Sequence, residues 1–116
     1  MTAQEIFDKV VAHLRSQGCK SQESAGGMCV YRGPNGTKCA AGCLIEDKYY
    51  RRAFEGNTFE HIILSSNALS AQFSTHVELI QALQNAHDMN PVKAWESVFA
   101  QISRDCGLVY TPPAVP

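Results

Sequence analysis

Residues 28–45 read MCVYRGPNGTKCAAGCLI, and this stretch decides the fold that we expect. Pro34 presets the backbone for a type I turn, and Gly36 can adopt the left-handed conformation that closes a bulged loop. Gly33 would then pair with Thr37 across the turn. These turn residues predict a tight β-hairpin here, in which Tyr31 would face Cys39.

An amphipathic helix is predicted near residues 3–17. Thr2 and Glu5 have the spacing of a capping box, and apolar residues then recur at helical intervals until Gly18 supplies a stop. The polar segment 19–27 that follows ends in two glycines, which is typical of a flexible loop.

The middle of the chain carries weaker signals. Residues 46–54 are predicted to form a short helix that ends at Gly56. Residues 59–64 are either a buried strand or a short helix, because periodicity does not separate the two over so few positions. Residues 65–74 are predicted to be a loop with at most one helical turn.

Two further helices are predicted near the C-terminus. Thr75 and Glu78 have capping-box spacing and would open the first, while Asn90 followed by Pro91 would open the second, which continues to Gly107. Their apolar stripes should pack against each other as an antiparallel pair. The predicted fold class is therefore α+β: a mostly helical single domain with one β-hairpin and a C-terminal antiparallel helix pair.

Length and composition limit the classes of function. The chain has 116 residues and a net charge of −1, so we expect one compact domain over 1–110, an extended proline-rich tail over 111–116, and no general nucleic-acid binding. It lacks an apolar run of about 20 residues for a membrane and a secretory signal at its start. Its five cysteines are therefore expected to be free thiols in a cytoplasmic protein.

Two cations of the hairpin form the candidate binding surface. Arg32 would face Lys38, and like charges directly across a strand pair destabilise it unless an anion lies between them. That anion is either internal or belongs to a ligand, such as a phosphate or a partner's carboxylate. The candidate internal anions are Glu46, Asp47 and Asp88. The aromatic side chains that could complete the surface are Tyr31, Tyr49 and Tyr50.

His87 and Asp88 are further candidate binding residues. An aspartate beside an imidazole suggests a general base, but adjacent residues on a helix are not expected to face each other. The structural interpretation is a histidine at the edge of the core, hydrogen-bonded to backbone or to the hairpin. Asp88 would then cap the Asn90 helix or pair with Arg32.

The cysteines suggest two further kinds of chemistry. A zinc site could use Cys29, Cys39 and Cys43 with His61, although only Cys39 and Cys43 have the usual ligand spacing. We therefore expect no bound cofactor and keep zinc as an alternative. A thiol nucleophile at Cys39 or Cys43, with His87 as its base, would instead make the protein a small hydrolase acting on a nucleotide.

Several motifs together carry a resemblance over most of the chain. They are Cys29-x-Tyr31-Arg32, Gly36-x-Lys38-Cys39-Ala40-x-Gly42-x-Leu44-Ile45, Leu83-Gln84-x-x-His87-Asp88 and Trp95. In these the chain resembles a group of small uncharacterised proteins of bacteria and their phages. The resemblance implies a phage or prophage accessory protein, a context in which small binders disable a host protein or sequester a defence signal.

These observations lead to one main functional hypothesis and two alternatives. The main hypothesis is a non-enzymatic accessory binding protein whose cationic, aromatic hairpin surface binds a host protein or a small anionic, phosphorylated ligand. The first alternative is the cysteine- and histidine-dependent hydrolase. The second is a structural subunit whose apolar stripes continue into a homo-oligomer interface.

Overall fold

Helices form all the regular secondary structure of residues 1–114. The computed structural model describes residues 1–114, and over that range it contains no β-sheet and only one isolated bridge, between Gln22 and Cys29. The helices are α1 (Ala3–Gln17), α2 (Ala40–Leu44), α3 (Phe59–Leu64), α4 (Asn67–Phe73), α5 (Val77–Met89) and α6 (Trp95–Cys106). Short 3₁₀ turns lie at Pro34–Gly36, Asp47–Tyr49, Arg52–Phe54, Ser74–His76 and Val92–Ala94.

The first helix agrees with its sequence signals. The Thr2 hydroxyl accepts a hydrogen bond from the Glu5 backbone N–H, and the Glu5 carboxylate accepts one from the Thr2 backbone N–H. Gly18 ends α1 in the left-handed conformation, with φ of 69°. The predicted capping box and stop are both confirmed. The apolar residues buried along one face of α1 are Ile6, Phe7, Val10, Val11 and Leu14.

The predicted β-hairpin is wrong, and the α+β fold class with it. The chain does reverse here: the Gly33 N–H donates to the Thr37 carbonyl at 2.8 Å, and Gly36 is left-handed with φ of 75°. Asn35 is left-handed as well, with φ of 60°, so the turn is not the predicted type I. After the turn, however, the chain enters α2, where the Cys39 sulfur accepts from the Gly42 N–H at 3.2 Å. Alanine is the strongest helix former, and the 40–44 run can bury most of its surface as a helix.

Two other segments also differ from expectation. The short helix predicted at 46–54 is replaced by two 3₁₀ turns, with Arg51 extended between them. The 65–74 loop contains α4, which Ser66 caps by accepting from the Leu69 N–H at 3.3 Å. Leu69 and Phe73 lie one turn apart on α4 and are both buried. Core packing therefore stabilises a helix that the polar composition of the segment did not predict.

One apolar core joins the helices into a single domain, with α5 at its centre. α5 packs against α1, α2, α3 and α6, so the predicted contact between the two C-terminal helices is present. The capping box predicted at Thr75 is absent, because α5 begins at Val77 directly after a 3₁₀ turn and without a side-chain cap. Trp95 at the start of α6 lies in the core between His87 and Phe99.

The segment after α6 returns to α1. Gln4 exchanges two hydrogen bonds with the backbone of Val109, and the Arg15 guanidinium donates to the Thr111 carbonyl at 2.8 Å. The described part of the predicted tail is thus attached to α1, while 115 and 116 lie outside the described residues. Over 1–114, the helices are too short or too polar to cross a bilayer.

Candidate functional site

The structure divides the predicted binding residues into two groups. Arg32 and Lys38 lie near the C-terminal end of α2, on what we call the cationic face, defined by Lys9, Arg32 and Lys38. These three cations all act on the Cys43 thiol. Of the predicted tyrosines, Tyr50 borders this face through Arg32, while Tyr49 lies against Lys48. Tyr31 and Asp88 instead line a separate pocket against α5, and His87 is buried behind it.

Arg32 is fixed by the backbone at the end of α2. Its guanidinium donates to the carbonyls of Gly42 at 2.6 Å and Ile45 at 2.7 Å, and to the Asp47 carboxylate at 3.2 Å. It also lies over the ring of Tyr50, 4.7 Å from the centroid. Its side chain is only 18% exposed. A cation here satisfies carbonyls that a helix C-terminus leaves free, so Arg32 has a structural role.

Glu55 completes the arginine site, although no sequence signal singled it out. One carboxylate oxygen accepts from the Tyr31 N–H at 2.8 Å, and the other from the Arg32 N–H at 3.1 Å and the Tyr50 hydroxyl at 2.6 Å. Burial and this carboxylate raise the pKa of Tyr50 to about 12. Glu55 therefore holds the 31–32 backbone, which lacks strand partners, against the 3₁₀ turns.

Lys38 is the more accessible cation of the pair. Its side chain is 34% exposed and its ammonium lies 3.7 Å from the Asp47 carboxylate, which is itself 84% exposed. Asp47 thus bridges Arg32 and Lys38, as the internal anion that the sequence analysis considered. The Lys38 backbone is anchored: its carbonyl contacts His13 Nε2 at 2.9 Å and accepts from Gln17 at 3.0 Å.

His87 is buried and its two ring nitrogens have different partners. Nε2 accepts from the Ser21 backbone N–H at 3.0 Å, and Nδ1 lies 2.6 Å from the Asp88 carboxylate. Since Nε2 is an acceptor, the proton belongs on Nδ1, which donates to Asp88. The ring stacks on Trp95 at 5.6 Å. His87 is backbone-bonded, as its structural interpretation predicted, but it also contacts Asp88, contrary to our expectation for adjacent helical residues.

Asp88 lies in the wall of a pocket of about 290 Å³, which we call the Asp88 pocket. The walls are residues 28–31, residues 56–59, Cys39 and one side of α5. Gln84 donates to the Asp88 carboxylate at 2.8 Å, while its own oxygen accepts from the Ala41 N–H at 2.8 Å. Burial opposes ionisation of Asp88, but hydrogen bonds from His87 and Gln84 outweigh it and lower the pKa of the carboxyl group.

The structure does not bring together the zinc ligands that the sequence suggested. His61 is exposed on α3, and the Cys39 and Cys43 sulfurs bond to the backbone of α2. Ligand atoms of Cys29, His87 and Asp88 do lie within 4.8 Å of one another. A metal at Nδ1 would move the His87 proton to Nε2, opposite the Ser21 N–H, so the hydrogen bond from Ser21 opposes metal binding.

The cysteine thiols do not have the properties of nucleophiles. Burial raises the pKa of Cys39 to about 12, and that of Cys43 to about 11 despite the three nearby cations. Burial and the Asp88 charge raise the pKa of Cys29 to about 11. A reactive cysteine requires a lowered pKa, so these thiols are protonated at neutral pH.

The largest pocket is distant from all of these residues. It has a volume of about 720 Å³ and lies between α3 and the start of α5, beside Leu64, which is 82% exposed. The Asp88 pocket is smaller, but it is the one that borders the buried polar network of Gln84 and His87. Polar groups that orient a ligand are characteristic of small-molecule sites, so the smaller pocket is the better candidate.

The chain is thus a small all-helical domain with a cationic face and a separate polar pocket. Comparisons with protein-family models, with curated proteins and with solved structures found no match. The functional argument therefore rests on the geometry of these two sites.

Proposed function

We propose that this chain is a non-enzymatic binding protein whose cationic face docks on an acidic surface of a partner protein. The observation that carries the proposal is the grouping of Lys9, Lys38 and Arg32 around Cys43, with the exposed Asp47 as the bridging anion. The accessory role that the phage resemblance implies, against a host protein in the cytoplasm, is part of the same proposal.

The bridging anion can be replaced. Exposed ion pairs contribute little free energy, and the Lys38–Asp47 pair is long as well as exposed. A partner's carboxylate can therefore take the place of Asp47 beside Lys38. Arg32 is held by carbonyls and needs no ordering on binding, which lowers the entropic cost of the complex. Tyr49 and Tyr50 add the aromatic contact area that interfaces favour.

A protein surface suits this face better than a phosphorylated small molecule. Small ligands are held in concave pockets that bury most of their area. Five of the best-formed pockets of residues 1–114 are not lined by Lys9, Arg32 or Lys38. An open, charged surface with tyrosines at its border resembles the polar rim and aromatic anchors of a protein interface.

The geometry offers little support for the hydrolase alternative. Its nucleophile would be Cys39 or Cys43, and burial keeps both thiols protonated. Its base would be His87, whose Nε2 already accepts a backbone hydrogen bond from Ser21. A general base must have a free nitrogen within reach of the proton that it removes. We therefore propose binding without turnover.

An NMR titration with a ten-residue poly-aspartate peptide tests this proposal. We expect amide shifts concentrated at Lys9, Lys38 and Cys43, and affinity that falls as salt is raised. The double variant Lys9→Glu with Lys38→Glu should weaken binding at least about tenfold, since each contact that is lost becomes a repulsion. Lys93→Glu is the matched control, because Lys93 is exposed and outside the cationic face.

The outcomes separate the hypotheses. Shifts elsewhere on the protein, or equal binding by the double variant and the Lys93→Glu control, would contradict the proposal. ATP should bind less tightly than the peptide. Tighter binding of ATP at Lys38 would favour the phosphorylated ligand over a protein partner.

A further inference from the structure

The Asp88 pocket has a composition unlike that of the cationic face. Asp88 and the amides Gln81 and Asn85 lie along one side of α5, and all three line the pocket. Apolar side chains at Met28 and Val30 lie in the opposite wall. Met28 is largely exposed, and an unbranched thioether side chain adapts its shape to what it contacts. The pocket thus combines one acidic wall with one apolar wall.

The negative charge of Asp88 lacks a cationic partner among residues 1–114. Its one close pair is with His87, which is neutral in the tautomer that the Ser21 hydrogen bond fixes. The Lys20 ammonium donates to the Asp88 backbone carbonyl at 3.3 Å and not to its carboxylate. Half-buried carboxylates are ordinarily paired with a cation or a metal. Here the Asp88 charge is supported only by neutral donors.

The same carboxylate keeps one oxygen for a ligand. His87 and Gln84 both donate to Oδ1. The side chain is 30% exposed and lines the pocket, so Oδ2 is the oxygen that can accept further bonds. One free oxygen suits a point-like ammonium better than a planar guanidinium, which pairs with both oxygens of a carboxylate. The pocket volume of about 290 Å³ suits a small molecule.

We propose that the Asp88 pocket binds a small organic ammonium compound, with its ammonium group at Asp88 and its apolar part against Met28 and Val30. The side-chain oxygen of Asn85 is available as a second acceptor for the ammonium group. Anionic ligands are excluded, because the Asp88 charge would repel them. This site is separate from the cationic face and does not require the partner proposed for it.

Three probes of equal shape test the inference: benzylamine, benzyl alcohol and benzoate. In ¹⁵N NMR titrations, benzylamine should bind at least tenfold more tightly than benzyl alcohol, and benzoate should not bind. The shifts should fall on residues 28–31 and on α5 near Asn85. Asp88→Asn should remove the tenfold preference for the amine while leaving the alcohol unchanged, because an asparagine oxygen can still accept from His87 and Gln84.

A second variant distinguishes loss of binding from loss of folding. Asn85 is exposed at the edge of the pocket, so Asn85→Trp should fill the pocket without disturbing the core and should abolish binding of both benzylamine and benzyl alcohol. Asp105→Asn, at an exposed position of α6 outside the pocket, is the matched control and should leave the affinities for benzylamine and benzyl alcohol unchanged. Equal binding of the amine and the alcohol by the wild-type protein, or amine binding that survives Asn85→Trp, would overturn the inference.

Discussion

Arg32 and Asp88 are two partly buried charges that the fold treats in different ways. The Arg32 guanidinium is enclosed by two backbone carbonyls, an aspartate and an aromatic ring. The Asp88 carboxylate accepts two hydrogen bonds at Oδ1, and its side chain lines a pocket. The difference teaches that, of two charges predicted from sequence to bind a ligand, folding can occupy most of the hydrogen bonds of one, Arg32, and leave the other, Asp88, facing a pocket.

Arg32→Met should have the largest effect on stability. The carbonyls of Gly42 and Ile45 would lose a charged donor, and hydrogen bonds to charged groups are each worth about 1.5–3 kcal/mol. We expect the free energy of unfolding in urea to fall by about 3 kcal/mol. Arg51→Met is the matched control, since Arg51 is exposed, and should change it by less than about 0.5 kcal/mol. Equal effects of the two variants would mean that the hydrogen bonds of Arg32 do not stabilise the folded protein.

His87→Phe should have an intermediate effect. The new ring can still stack on Trp95, but the Ser21 N–H loses its acceptor and Asp88 loses its strongest donor. An unsatisfied buried polar group costs about 1–3 kcal/mol, so we expect a loss of about 2 kcal/mol by urea unfolding. Hydrogen exchange at the Ser21 amide should accelerate in parallel. His61→Phe, at an exposed position, is the control, and unchanged exchange at Ser21 would contradict the assigned tautomer.

The Asp88 charge should make the smallest of the three contributions to the free energy of unfolding, and acid should remove it. The carboxyl pKa is lowered in the folded state from its ordinary value of 3.8. Its contribution is therefore present above about pH 4 and is lost as the pH falls through the folded pKa. Asp88→Asn should lower the stability by about 1 kcal/mol at pH 7 and less at pH 3. A difference that is constant between pH 3 and pH 7 would show that folding does not lower the pKa of Asp88.

The local signals in the sequence were reliable where they involved neighbouring residues. The α1 capping box and the left-handed Gly18 and Gly36 depend on residues within a few positions of one another, and all are present. The hairpin prediction failed because the 39–45 run is short and apolar throughout, so its periodicity did not separate a strand from a helix. Burial on several sides, which is a tertiary property, selected the helix.

The candidate sites were harder to predict than the helices. Asp47, rather than Glu46, is the bridging anion because of where the 3₁₀ turns of 47–54 lie relative to the end of α2. The role of Glu55 depends on the same arrangement. The Asp88 pocket is assembled from four segments that are distant in sequence. Sequence spacing does not encode such distances, although the pairing of a glutamine at Gln84 with Asp88 one helical turn away was a visible sign of a polar network.

The five residues of α2 connect the two regions. Gln84 holds the N-terminal end of α2 through the Ala41 N–H, and Arg32 holds its C-terminal end through the Gly42 and Ile45 carbonyls. At 1.5 Å per residue this helix is a spacer roughly 7.5 Å long. Gln84 also bonds to Asp88, so a ligand that repositions Asp88 would act on α2 from its N-terminal end. A partner at the cationic face would act on the same helix from its C-terminal end, through Arg32. Any free-energy coupling between the two sites is reciprocal, and each occupant would change the affinity of the other by the same factor.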